Sequence, residues 1–196
     1  MKTIIGLTGQ TGAGKSSTKN IAENLGFFVI DCDSVAKNVT NQNADAKRAL
    51  VNVFSENILS SGEIDRGLLA TAAFKNKQNT LLLNKTLLPF IVTEIKDIIK
   101  SSSSSLILLD APTLFESGIN DICKKTIAVL ADTKIRKERI ILRDNLTDEA
   151  ADLRLKAGKG DDFYKQNADY VIYNDGAQFE FLSEFENILK QILGGK

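Results

Sequence analysis

Residues 9–16 read Gly9-Gln10-Thr11-Gly12-Ala13-Gly14-Lys15-Ser16, the pattern GxxxxGK[ST] in full. Residues 3–8 before it form a short apolar run rich in Ile, and residues 15–25 after it place Ile21, Ala22 and Leu25 on one helical face. The glycine loop therefore lies between a buried strand and a helix, where the chemistry of the pattern requires it. Glycines let successive backbone N–H groups turn inward on an anion, and the following helix aims its own N–H groups and positive dipole end at the same point. In such a loop Lys15 spans the β- and γ-phosphates of a nucleoside triphosphate and the Ser16 hydroxyl ligates Mg²⁺. Gly9, Thr11, Gly12, Ala13, Gly14 and Ser17 complete the expected nucleotide-binding wall. An accidental match is expected in roughly one chain in a hundred, and correct placement between strand and helix makes nucleotide binding the adopted reading.

Working outward, Gly26 ends the helix and residues 27–30 form a second continuous apolar run, the kind found in a strand buried on both faces. Residues 106–109, 127–130 and 170–172 repeat it. Five short runs alternating with helical segments predict an α/β fold, three layers deep, with a five-stranded parallel sheet. The interval between the second and third runs is about 75 residues, where a plain crossover unit needs about 30. It predicts an inserted helical, substrate-binding part at residues 34–100, with Leu50, Val51, Phe54, then Leu68, Leu69, Ala72, Ala73, then Leu87, Phe90, Ile91, Ile95 and Ile98 at helical intervals. Residues 132–167, charged and poorer in large apolar side chains, predict a small helical lid. The whole, residues 1–196, is then one domain with its core in 1–33, 106–131 and 168–196. Residues 101–105 are five serines, read as an exposed connector.

The chain has 196 residues, of which 43% are hydrophobic, enough to bury one substantial core. Lys+Arg and Asp+Glu both number 25, so no global field draws it to nucleic acid or to an anionic membrane, and any bound anion is captured locally. The apolar N-terminal run is too short for a signal peptide and no segment predicts a membrane span, so a cytoplasmic location is expected. There is no His, and Cys32 and Cys123 have no zinc-ligand spacing. Acid and base work therefore falls to carboxylates, and catalytic positive charge to Lys, Arg or a metal ion. The two thiols are expected to be reduced, as small buried hydrophobes.

The loop alone does not separate GTPases, motor ATPases and small kinases. After Leu130 the chain reads Ala-Asp-Thr-Lys-Ile-Arg, without the NKxD element by which a GTPase reads its base, and the third run ends Leu-Leu-Asp110-Ala-Pro rather than in paired acids. Small kinases remain. Strand alternation would place Asp31 and Asp33 on one side of the crevice beyond the second strand, where a carboxylate can orient an acceptor hydroxyl. The alternative has Asp33 capping the next helix and Asp31 in solvent. Asp110 either holds Mg²⁺ through water or caps a turn ahead of Pro112. Arg136, Arg139 and Arg143 share a helical face, either as a clamp on transferring phosphate or as a solvated charged surface offset by Glu138 and Asp144.

Taken in order, several stretches resemble the dephospho-coenzyme A kinase family over nearly the whole length. They are the loop with its strand, Asp31-Cys32-Asp33, Ser61 to Phe74 around Arg66, Leu88-Pro89-Phe90-Ile91, Leu109 to Glu116, the pair Arg139 and Arg143, and Ala168 to Gly176. The resemblance implies transfer of the γ-phosphoryl group of ATP to the ribose 3′-hydroxyl of dephospho-CoA, the last step of CoA synthesis. It also implies that Asp33 orients or deprotonates that hydroxyl, that Arg66, Pro112, Leu114 and Glu116 line the acceptor site, and that Arg139, with a catalytic part, and Arg143 belong to the lid over ATP. Asn174 and Gly176 would pass beside the adenine, and Ser16 with Asp110, through water, would hold Mg²⁺. Partners would be ATP and dephospho-CoA, with neither nucleic acid nor membrane. Two positions depart from the family's usual pattern: Leu88 stands where His is common, and Gly158 where Gln is common. Leu cannot donate a hydrogen bond, which weakens the acceptor contacts, and a kinase for a nucleoside monophosphate or another small alcohol, or a non-catalytic nucleotide-binding protein, are the alternatives.

Overall fold

The computed structural model describes residues 2–194. Met1, Gly195 and Lys196, the outermost positions of the expected core segments, lie outside the described residues. The chain forms two compact units, one of residues up to Ile30 and from Ser103 onward, the other of Asp31–Ser102.

The first unit begins with β1 (Thr3–Gly9), buried from Ile5 onward. The glycine loop follows, then a single 3₁₀ turn (Lys15–Thr18) that passes into α1 (Lys19–Asn24). Gly26, at φ 85°, reverses the chain into β2 (Phe28–Asp31), a turn for which a residue without Cβ is suited.

The second unit is mainly helical. It runs α2 (Cys32–Gln42), α3 (Ala44–Phe54), the two-residue strands β3 (Leu59–Ser60) and β4 (Glu63–Ile64), α4 (Arg66–Ala73) and the 25-residue α5 (Lys77–Ser101). Val35, Val39, Leu50, Leu69, Leu87, Ile95 and Ile99 are buried, so the long helix presents Leu87, Ile95 and Ile99 as its inner stripe. Pro89 interrupts α5 and removes one N–H from the ladder. It is exposed, so the carbonyl left over four residues earlier can turn to water. The β3–β4 hairpin was not legible beforehand; Ser61 and Gly62 both carry positive φ, as a two-residue hairpin turn requires.

The chain then returns to the first unit through β5 (Leu106–Asp110), β6 (Lys125–Leu130), α6 (Thr133–Asp144), α7 (Asp148–Lys156), α8 (Asp161–Asn167), β7 (Tyr170–Tyr173) and α9 (Gln178–Ile192). The strand order is β2-β5-β1-β6-β7, with β1 parallel to β5 and β6 and β6 parallel to β7. Side chains alternate between faces. Ile5, Leu7, Leu108, Ile127, Val129 and Ile172 pack against Ala22 of α1 and Phe181, Phe185 and Leu189 of α9. Ala128 and Leu130 face Tyr164 of α8, flanked by Phe115 and Phe163. Phe185 and Leu189 are fully buried, each contributing about 2–3 kcal/mol of apolar transfer. This is the three-layer α/β fold, and the register Leu7 to Asp110 and Gly9 to Val129 brings the carboxyl ends of the strands to one edge, beside the glycine loop.

One sequence expectation is corrected. Asp31 and Asp33 are not two positions of one strand, because the helix begins at Cys32. Asp31 is its N-cap, accepting hydrogen bonds from the Ser34 backbone N–H at 3.0 Å and the Ser34 hydroxyl at 2.8 Å, while Asp33 sits exposed in the first turn. The cap wins because it satisfies a helix-end N–H that alternation would leave open. Burial pushes the Asp31 carboxyl up, but the Ser34 hydrogen bonds outweigh it and hold the group below its ordinary value. Neither cysteine is in a disulfide; Cys32 is buried, and burial, with Asp121 and Asp169 nearby, pushes the Cys123 thiol up to about 12. Among the described residues no helix is long and apolar enough to cross a membrane.

Candidate active site

The loop between β1 and α1 is built by backbone conformations that side chains oppose. Gly12 has φ 80° and Gly14 φ 95°, in the left-handed region, and a Cβ on Gly14 would lie 2.3 Å from Nδ2 of Asn174. Alternation of this kind turns successive amides toward one concavity. The ammonium of Lys15 reaches back to the carbonyl of Gly9 at 3.4 Å, so the charge lies over the mouth of the loop. The Ser17 and Thr18 hydroxyls turn inward to the carbonyls of Gly14 (2.8 Å) and Lys15 (2.7 Å), whereas Ser16 is exposed at the rim.

The loop is clamped from outside by α6 and by the segment after β7. Asn174, buried, donates from Nδ2 to the carbonyl of Ala13 at 2.8 Å. Arg139 donates to the same carbonyl at 3.4 Å and to the Asn174 carbonyl at 3.0 Å. Asp175 accepts from the N–H of Asp132 at 2.5 Å, fixing the same segment to the start of α6; Gly176 beside it is exposed. The Arg139 guanidinium thus crosslinks the loop to the segment after β7 and holds a positive charge beside the loop.

The three arginines expected on one face have three different surroundings. Arg136 is buried, its Nε donating to the carbonyl of Ala131 at 2.9 Å, which makes it a strut beneath the loop. Arg139 reaches the loop. Arg143 is exposed and paired with Asp144, as is Arg154 at 2.5 Å; hydrogen bonding from Arg143 holds the Asp144 carboxyl below its ordinary value. Lys137 ties α6 to α7 through Asp148 and Asp152 at 2.6 and 2.8 Å.

Beside the loop a cavity of ≈ 200 Å³ is walled by Gly9, Gln10 and Thr11 on one side, Pro112, Thr113 and Glu116 on another, and Arg154, Gly158 and Tyr164 on the third. Thr8 donates its hydroxyl to the Pro112 carbonyl at 3.2 Å, holding the β5 exit against β1. Leu114 does not reach this wall: it is fully buried against Gly6, where it supports the segment from beneath. Burial, then the charge of Glu116, pushes the Tyr164 phenol up to about 12 against the opposing pull of Arg136, so the wall there stays a neutral hydroxyl. Asp110, half-buried, ends β5 opposite Leu7.

In the second unit Arg66 begins α4 and lines a shallow, mostly apolar pocket of ≈ 210 Å³ with Lys37, Thr40, Leu69, Phe74 and Leu87. Leu88 is half-buried on α5, one residue from that wall. Sequence reasoning missed Gln10, Lys37, Arg154 and Tyr164. Gln10 occupies a position the loop pattern leaves open, and the others carry no motif, so nothing short of the fold would have found them.

Comparison with known proteins agrees with this geometry. The family model described as dephospho-CoA kinase matches residues 3–180. A Fusobacterium nucleatum dephospho-CoA kinase is 32% identical over 190 residues, spanning 96% of this chain and 94% of that protein. Among solved structures, TT1252 from Thermus thermophilus superposes with TM-score 0.82 at 26% identity, covering 97% of both chains. A dephospho-CoA kinase from Campylobacter jejuni superposes with TM-score 0.70 at 28% identity, covering 100% of both.

Proposed function

Since the chain belongs to the dephospho-CoA kinase family, we propose that it transfers the γ-phosphoryl group of ATP to the ribose 3′-hydroxyl of dephospho-CoA, giving coenzyme A. The observation that carries this is the cavity that the phosphate loop shares with Pro112, Thr113 and Glu116, since it offers an acceptor room next to the γ-phosphate end of a cradled nucleotide.

Phosphoryl transfer asks little covalent chemistry of a protein and much positioning. The loop amides and Lys15 hold the triphosphate tail. Arg139, anchored on the Ala13 and Asn174 carbonyls, adds a fixed guanidinium where charge builds on the transferring group. The Asn174 to Gly176 segment would pass the adenine. By the family resemblance Asp33, exposed in the first turn of α2, would accept the hydrogen bond of the ribose hydroxyl and aim its oxygen. Arg66 and Lys37, beside an apolar wall, suit an acceptor that carries both phosphate and a less polar tail.

The donor set fits Mg²⁺. Among the described residues no group of three or more His, Cys, Asp or Glu side chains could hold a metal by itself, and by the family resemblance the Ser16 hydroxyl and the Asp110 carboxylate would hold it. A small hard cation that takes most of its ligands from phosphate and water needs no more than that. When bound it would neutralise charge on the β- and γ-phosphates. The even charge balance agrees with an enzyme acting on small molecules.

Asp33→Asn tests the reading. The variant keeps Mg·ATP affinity and loses about 10²–10⁴-fold in kcat, and unchanged turnover would remove Asp33 from the reaction.

A further inference from the structure

Gln10 stands apart from the rest of the loop. It is the one long side chain among residues 9–14, it is only 3% exposed, and all its polar groups are engaged. Its backbone N–H donates to Val129 and its carbonyl accepts from Ala13. Its side-chain Oε1 accepts from the N–H of Ala131 at 3.3 Å, while Nε2 donates to Oδ1 of Asp161 at 2.9 Å and to the carbonyl of Lys159 at 3.5 Å. One amide thus joins the phosphate loop to the connection between α7 and α8. The other oxygen of Asp161 faces Tyr173 at 3.5 Å and Lys165 at 3.9 Å.

That connection needs fastening. It reads Ala157-Gly158-Lys159-Gly160, with Lys159 flanked by two glycines that restrain the backbone least, and all four residues are exposed. Gly158 lines the same cavity as Gln10. It is also the position where the resemblance places Gln, and a Cβ there meets only the Leu155 carbonyl at 3.4 Å, an ordinary contact in a backbone without positive φ. The backbone at position 158 could carry a Cβ without strain.

We propose that Gln10 is a positioning residue that fastens the base of the lid to the phosphate loop, supplying from the loop the amide that a Gln at position 158 would supply from the lid. The tether acts from within the first unit, pulls on Lys159 and Asp161, and sets the third wall of the cavity beside the γ-phosphate end of the loop. Gln10 and position 158 then form an exchangeable pair, one amide between them.

The kinetic side of this inference rests on the proposed function; the proteolytic side does not. In substrate-free protein, Gln10→Ala and Gln10→Glu loosen the backbone around the already exposed Lys156 and Lys159, with trypsin cleavage at the connection rising about tenfold, the scale of one or two buried hydrogen bonds. Gln10→Glu keeps the size and the acceptor for Ala131 but loses the donor and sets a second carboxylate against Asp161. In turnover, Gln10→Ala lowers kcat about tenfold while KM for ATP moves less than about twofold. Gly158→Gln gives no gain alone, where the acceptors are already taken, yet returns Gln10→Ala to within about threefold of the parent in both readouts. Cleavage unchanged in both Gln10 variants overturns the tether. A double variant no better than Gln10→Ala overturns the exchange.

Discussion

Gly14→Ala puts the geometry of the phosphate loop to a quantitative trial. Its φ of 95° lies where an L-residue is strained, and the new Cβ would meet Nδ2 of Asn174 at 2.3 Å. The backbone term is about 1–2 kcal/mol. To clear the methyl, Asn174 must withdraw from the Ala13 carbonyl, to which it donates at 2.8 Å in a buried setting, costing about 1–3 kcal/mol more. The total, about 3 kcal/mol, is a large share of the 5–15 kcal/mol typical of a folded domain and corresponds to a melting point lower by about 6–12 °C. Urea unfolding of Gly14→Ala, Asn174→Ala and the double variant apportions it. Asn174→Ala removes the obstacle, so the double variant should be about 1–2 kcal/mol more stable than the sum of the single losses predicts. Strict additivity, or a Gly14→Ala loss under about 0.5 kcal/mol, would refute the packing argument.

Asp169 ties β6 to β7, accepting from the Thr126 N–H at 2.8 Å, the Thr126 hydroxyl at 2.9 Å and Lys125 at 2.6 Å. Burial pushes its carboxyl up, but these bonds outweigh it and hold the group below 3.8, so the stability it brings is present above that pH and lost as pH falls through the lower, folded-state value. Asp169→Asn should cost about 1 kcal/mol at pH 7, modest because the Lys125 end is solvated, and the gap should close below pH ~3.8 in urea titrations; a gap that widens in acid contradicts this. Arg139→Ala should lower kcat/KM about 10²-fold and Arg143→Ala less than about fivefold, since one guanidinium holds the loop and the other pairs with Asp144 on the surface. Equal losses would restore the shared-clamp reading of the arginine face. At pH 8 the native thiols should alkylate slowly, Cys32 because it is buried and Cys123 because its thiol is pushed up to about 12, and both should react once the chain is unfolded in urea; fast labelling of native Cys123 would count against its environment.

Legibility from sequence followed how local the cause was. The glycine loop, the apolar runs of β1, β5 and β6 and the helical intervals of Leu87, Phe90, Ile91, Ile95 and Ile98 are local patterns, and each became the element it predicts, although on α5 Ile99 rather than Ile98 is buried. The β3–β4 hairpin is too short for any periodicity to reveal. Asp31 and Asp33 went astray because two carboxylates separated by one residue fit a strand and a helix start equally well, and the Ser34 N–H, which decides, is visible only once the helix exists. Leu114 was expected, from the resemblance, to line the acceptor site but is fully buried, because its neighbours in sequence do not show which way a turn points a side chain. Spacing on α6 put three arginines in one row, yet their partners come from the glycine loop, the Ala131 turn and Asp144, contacts that only the fold brings together. Gln10 sits at a permissive position of its motif, so its tie to Lys159 and Asp161, some 150 residues on, could not be read.

The decisive measurement is transfer of the γ-phosphoryl group. Purified protein given Mg·ATP and dephospho-CoA should form coenzyme A saturably, with the new phosphorus resonance on the ribose 3′-oxygen and no comparable product from nucleoside monophosphates. Phosphate released to water at the same rate with or without dephospho-CoA, or faster transfer to a nucleoside monophosphate, would contradict the assignment.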